Sequence, residues 1–233
     1  MLFISPPFGN YLNFPKTISI KGSFTLDKRP GKWSQIFKTL RYDYKNNGWV
    51  NKIGLRNPGI DHAIKNYKKG TIVSVAILNK YEIPFLLRKI PDDMDIELNV
   101  SCPNTDKHMI GSGLKPFLNK KRNWCIIKLS PIQSSLSIDR YYKEGFRQFH
   151  ASNTLPTEKG GVSGPVLKGY TIGTIKYIKN QWNDTVVIAG GGIRTLKDIK
   201  DYQEAGADHF SVSSLCFNPI SFLNFYFEYT NQF

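Results

Sequence analysis

Short apolar, β-rich runs alternate along the chain with longer stretches whose apolar residues recur at helical spacing. The runs fall at 2–5, 17–21, 71–77, 95–100, 124–129, 146–152, 185–189 and 209–213. Their short length and their Ile, Val and Phe content suit strands that are covered on both faces. Between them, 61–69, 80–89, 114–121, 138–144, 171–181 and 196–205 read as helices, with 221–229 as a closing helix. Repeated strand–helix alternation predicts a parallel sheet, and eight such runs predict an α/β fold of the (β/α)8 TIM barrel type.

Two connections depart from a regular barrel. The first, 6–16, holds Pro6, Pro7, Gly9 and Pro15 and is too broken for a normal helix, so the first helix is expected to be reduced or missing. The second, 22–70, is long and punctuated by Lys28-Arg29-Pro30-Gly31 and Asn57-Pro58-Gly59, both turn formers. A long excursion in a compact domain is more often functional than idle. With no linker and no low-complexity segment, 1–233 reads as a single domain.

The expected strand ends carry polar residues: Lys21, Asn99 with Cys102 and Asn104, Lys128, Asn153 with Thr154, Gly190-Gly191-Gly192, and Ser213-Ser214. Barrel enzymes place their chemistry at such ends. The turn Asn99-Val100-Ser101-Cys102-Pro103-Asn104 packs two carboxamides, a hydroxyl and a thiol into six residues, a poor composition for a core. Local sequence alone leaves a structural reading equally open, since amides also tie down turns and a lone cysteine packs as a small hydrophobe. Lys128, in the apolar run Cys125-Ile126-Ile127-Lys128-Leu129, is buried unless it snorkels to the rim, and a buried lysine needs an anion or a cofactor. Gly160-Gly161-Val162-Ser163-Gly164 ahead of the helix at 171, Gly190 to Gly192 ahead of the helix near 195, and Ser213-Ser214 together suggest a phosphate site in the final third.

Composition narrows the class. No apolar run approaches the ~20 residues of a membrane span, and the first residues lack the basic and small-residue marks of a signal peptide, so the chain reads as soluble and cytoplasmic. Three cysteines, at 102, 125 and 216, form no C-x-x-C pair, which points to a reducing compartment and no metal site. Lys plus Arg number 32 against 18 acidic residues, a net charge of +14, but the charges are scattered in short clusters rather than gathered in a stripe, which argues against nucleic acid.

The motifs Lys21-Gly22-Ser23-Phe24-Thr25-Leu26-Asp27-Lys28-Arg29-Pro30-Gly31, Asn51-Lys52-Ile53-Gly54-Leu55-Arg56-Asn57-Pro58-Gly59, Asn99 to Asn104, Gly160 to Gly164 and Gly190 to Ile193 resemble, in this order, those of the dihydroorotate dehydrogenase family. The resemblance implies an FMN-dependent barrel that oxidises dihydroorotate to orotate in pyrimidine (UMP) biosynthesis. Position by position, it makes Cys102 the general base for the C5 proton and Lys21 and Lys128 the flavin-facing lysines. It places the pyrimidine between Lys21, Asn51, Asn99, Asn104, Asn153 and Thr154, and the substrate carboxylate on the backbone of Ile53, Gly54 and Leu55. Lys21, Gly22, Asn99 and Lys128 would face the flavin, and Ser163, Gly164, Gly191, Gly192, Ser213 and Ser214 its phosphate.

A cysteine at position 102 resembles the class 1 branch, whose members work as a homodimer or with an electron-transfer flavoprotein partner and differ in electron acceptor. Two departures stand out. Ser5-Pro6-Pro7 replaces a small-residue segment beside the flavin, and 155–160 is short, which predicts an open wall there. A related dihydropyrimidine or tRNA dihydrouridine oxidoreductase, or a non-catalytic flavin binder, are the alternatives.

Overall fold

The computed structural model describes residues 1–100 and 113–233. Its strands, in chain order, are β1 (Leu2–Ile4), β2 (Thr17–Phe24), β3 (Arg41–Asp43), β4 (Gly48–Asn51), β5 (Ile72–Ala76), β6 (Ile96–Asn99), β7 (Cys125–Lys128), β8 (Gln148–Ala151), β9 (Leu155–Thr157), β10 (Gly160–Ser163), β11 (Val186–Gly190) and β12 (His209–Val212). The helices are α1 (Lys32–Thr39), α2 (Ile60–Lys65), α3 (Ile83–Lys89), α4 (Ser135–Glu144), α5 (Lys168–Gln181), α6 (Leu196–Glu204) and α7 (Pro219–Gln232).

Eight strands close into a barrel in the spatial order β1-β12-β11-β8-β7-β6-β5-β2, each coinciding with one of the eight apolar runs. The pairs are parallel throughout. Alternation along each strand sorts residues into two layers. One set faces the helices and joins the main core with residues such as Leu86, Ile138, Ile175 and Phe225. The other fills the lower barrel with Phe3, Ile20, Ile72, Ile126 and Ile188, packed by Ile18 and Trp124. Above this apolar plug the interior turns polar: Ser74, Glu97, Lys128, His150 and Ser211 are all buried. A polar layer over an apolar plug gives the barrel an apolar floor at one end and a polar mouth at the other.

The broken first connection folds as a single 3₁₀ turn, Phe8–Asn10, as the prolines predict. The helix expected over 114–121 is not formed. Among the described residues that connection carries only a 3₁₀ turn, Lys115–Phe117, because Pro116 removes a backbone donor and Leu118 is extended. The long second connection holds regular structure between its turn formers. It contains α1 and the hairpin β3–β4, which joins β10 and β9 in a separate antiparallel sheet of order β3-β4-β10-β9. The short segment 155–160 therefore contributes to a hairpin of that sheet instead of leaving a wall open.

Candidate active site

The polar layer is organised around Glu97. Its Oε1 accepts from Ser74 Oγ at 2.7 Å and lies 3.4 Å from Lys128 Nζ, and its Oε2 is 2.6 Å from His150 Nδ1. Strand pairing builds this cluster: Ser74 lies opposite Glu97, and Lys128 opposite His150. Burial opposes ionisation of Glu97, but the Lys128 charge and hydrogen bonds from His150 and Ser74 prevail and hold its carboxyl at about 2. Burial, followed by the Lys128 charge, pushes the His150 pKa down, so the imidazole is neutral and donates Nδ1–H to the carboxylate. The anion that receives Lys128 is thus the chain's own Glu97, and the lysine is 7% exposed rather than snorkelling to the rim.

From this cluster a hydrogen-bonded line climbs to the mouth. Ser74 Oγ meets Ser23 Oγ at 2.9 Å, Asn99 Nδ2 donates to Ser23 Oγ at 3.0 Å, and Asn153 Nδ2 donates to Asn99 Oδ1 at 3.1 Å. Asn99 and Asn153 open onto a cleft of about 500 Å³ with Lys21, Gly22, Lys128 and Thr154. Its far wall is the segment after β4, where Asn51, Ile53, Gly54 and Leu55 line the space. Asn57 holds this wall: its Oδ1 accepts from Thr25 and Gly59 N–H, and its Nδ2 donates to Thr25 Oγ1 and the Leu55 carbonyl. Gly54 and Leu55 both have positive φ, 68° and 54°, so the wall is a sharply turned backbone fixed from behind.

A second, narrower pocket of about 80 Å³ continues from the first, sharing Pro6, Lys128, Asn153 and Thr154. Gly191, Gly192, Ser213, Ser214 and Ser163 line it. Gly164 packs behind, where a Cβ on Gly192 would lie 3.1 Å from the Gly164 carbonyl oxygen. Two details refine the expected phosphate site. The glycine segment ahead of α5 is strand β10, and Ser163 Oγ donates to the Trp49 carbonyl. The N-terminus of α6 is not open to an anion, because the Asp198 carboxylate accepts the backbone N–H groups of Arg194 and Thr195 in a capping box. The backbone available for a phosphate is that of the bare glycines and of Ser213 and Ser214. At Gly191, φ is +87° and a Cβ would sit 2.8 Å from Leu167 Cδ1. Gly191→Ala is therefore expected to cost about 1–2 kcal/mol in backbone strain alone, read as a lower urea midpoint.

The expected site residues that are described line these two pockets, except Gly164, which packs behind Gly192; Cys102 and Asn104 lie outside the described residues. The sequence reading assigned no role to Glu97, His150, Ser74, Ser23 or Asn57. One signal was present, since a glutamate inside an apolar parallel strand is as anomalous as Lys128. Cys125 and Cys216 are buried, and burial pushes both thiols up to about 12, which leaves them inert. Among the described residues no His, Cys, Asp and Glu group has metal-binding geometry, and no helix is long and apolar enough to cross a membrane.

A family model described as dihydroorotate dehydrogenase matches residues 126–222. The chain is similar to the catalytic subunit of dihydroorotate dehydrogenase B (NAD(+)) of Oceanobacillus iheyensis, at 29% identity over 208 residues, covering 74% of this chain and 68% of the relative. The corresponding subunit of Malacoplasma penetrans is 27% identical over 224 residues, covering 78% and 71%. That of Halalkalibacterium halodurans is 27% identical over 241 residues, covering 88% and 77%. In fold, a dihydroorotate dehydrogenase from Eimeria tenella, solved with ferulenol, superposes with a TM-score of 0.72 at 16% identity, over 94% of this chain and 77% of that one.

Proposed function

We propose that this barrel, a relative of the dihydroorotate dehydrogenases and an oxidoreductase acting on a CH–CH bond, oxidises dihydroorotate to orotate with FMN in pyrimidine biosynthesis. The observation that carries the reading is the convergence of Lys21, Asn51, Asn99, Lys128 and Asn153 on one cleft that runs into a glycine- and serine-lined pocket.

The residues suit the cofactor. Gly191 and Gly192 line the pocket at positive φ, where a Cβ would press on Leu167 or on the backbone of Gly164 and Pro165, and bare N–H groups at strand ends favour a phosphate. When bound, FMN supplies a hydride acceptor. Cys102, after β6, takes the C5 proton, a role a thiol can fill because its ordinary pKa of about 8.5 is tunable by nearby positive charge. Lys128 and Lys21 bring positive charge to the cleft, where electron density accumulates during the reaction. Asn51, Asn99, Asn104, Asn153 and Thr154 hold the pyrimidine, since a carboxamide both donates to and accepts from its imide edge. The backbone at Ile53, Gly54 and Leu55 receives the carboxylate. Arg56 beside it supports an anionic ligand: its buried Nε has no hydrogen-bond partner among the described residues.

The named relatives are catalytic subunits of NAD(+) enzymes. This favours a second, electron-accepting subunit over a solitary homodimer, and a cytoplasmic enzyme. The direct test is anaerobic. Protein loaded with FMN should lose its visible flavin absorbance on addition of dihydroorotate and yield one orotate per flavin. A protein that takes up no FMN, or whose FMN stays oxidised, overturns the reading.

A further inference from the structure

The floor of the narrower pocket contains polar groups that the proposed reaction leaves unused. Ser5 and Ser211 are 5% and 3% exposed, and their hydroxyls are 2.6 Å apart. His150, 1% exposed, lines the same pocket. Buried polar groups at the end of an apolar barrel are costly unless something satisfies them.

The tautomer of His150 follows from its partner. Glu97 is ionised and only accepts, so Nδ1 carries the ring proton and Nε2 is a bare acceptor. A Cβ at residue 190 would lie 2.6 Å from Nε2, so Gly190 is what leaves this nitrogen room. The serine pair is complementary. Two hydroxyls share one hydrogen bond, and whichever donates, the other keeps a proton to give. The same pocket, lined also by Lys128 and by the glycine and serine residues, therefore offers one acceptor and one donor.

We propose that His150, Ser5 and Ser211 form a polyol-binding floor, on which one hydroxyl of the sugar-alcohol chain of FMN donates to His150 Nε2 and another accepts from the serine pair. Glu97 acts there as a positioning residue, holding the imidazole in the tautomer that accepts. The proposal rests on the FMN reading above. It assigns the chain's recognition of the cofactor's linker to residues beneath it, separate from those that meet its ring and phosphate.

The test compares FMN with lumiflavin, which has the same ring but a methyl group in place of the polyol and phosphate, using riboflavin to separate polyol from phosphate. Binding is read by fluorescence quenching. His150→Phe and Ser211→Ala are each expected to weaken FMN and riboflavin about tenfold, one net hydrogen bond, while lumiflavin changes less than twofold. Equal losses for all three ligands, or no loss for any, overturn the proposal.

Should the variants fold poorly, ¹⁵N-histidine spectra of the native protein decide, since the chain has only four histidines. The His150 signal should show a bare Nε2 that shifts on addition of riboflavin and not of lumiflavin, whereas a protonated or unresponsive Nε2 overturns the proposal. Native protein that binds none of the three flavins overturns both this proposal and the FMN reading. Native protein that binds all three with variants that do not discriminate overturns this one alone.

Discussion

Glu97→Ala is expected to destabilise the protein by about 3–5 kcal/mol at neutral pH, the cost of removing one member of a buried ion pair. Lys128 Nζ lies 3.4 Å from this carboxylate, and both side chains are deeply buried. The loss also strips His150 and Ser74 of their acceptor. Its pH dependence identifies the cause. Because the folded carboxyl is held at about 2, below its ordinary range, its contribution is complete above that range and is lost as the pH falls through it towards 2. Urea midpoints of native and variant protein should therefore differ most at pH 7 and draw steadily together as the pH falls from 5 towards 2. A gap that stays constant with pH assigns the loss to a cavity rather than to charge.

Cys102→Ser is expected to slow reduction of bound FMN by dihydroorotate about 10²–10⁴-fold at neutral pH, the usual contribution of a positioned general base. A hydroxyl is a far weaker acid than a thiol, so at pH 7 it is a poor base until a second group takes its proton. FMN affinity should be unchanged, because Cys102 is not among the residues assigned to the cofactor. Stopped-flow reduction without oxygen, measured from pH 6 to 10, separates the effects. A rate equal to that of the native protein removes the residue from the chemistry, and loss of FMN with the rate would make the cysteine structural.

The barrel was legible in the sequence because a strand buried on both faces has to be continuously apolar, and eight such runs separated by amphipathic stretches admit few other arrangements. Lys21, Asn99, Lys128 and Asn153 were legible for the opposite reason, as polar residues where apolar ones would pack. What stayed hidden depends on pairing across space. Nothing local to Lys128 says that its anion is Glu97, 31 positions earlier, since that follows from β6 lying beside β7. The self-capped start of α6 was missed because a glycine triplet ahead of a helix reads as an anion site until Asp198 is seen to occupy it. Similarly, 160–163 gives no local sign of a strand: two glycines in four residues have low strand propensity, and only pairing with β4 and β9 makes it one.

That pairing carries a consequence for exchanging parts between relatives. Asn51 of β4 is in register with Gly161 of β10, so the sheet over the cleft is assembled from two insertions more than a hundred residues apart in the chain. Neither is complete alone. A chimera that imports only one leaves an exposed strand edge, a ready template for aggregation. The sheet is therefore inherited as a matched pair of segments, and grafting has to move both at once.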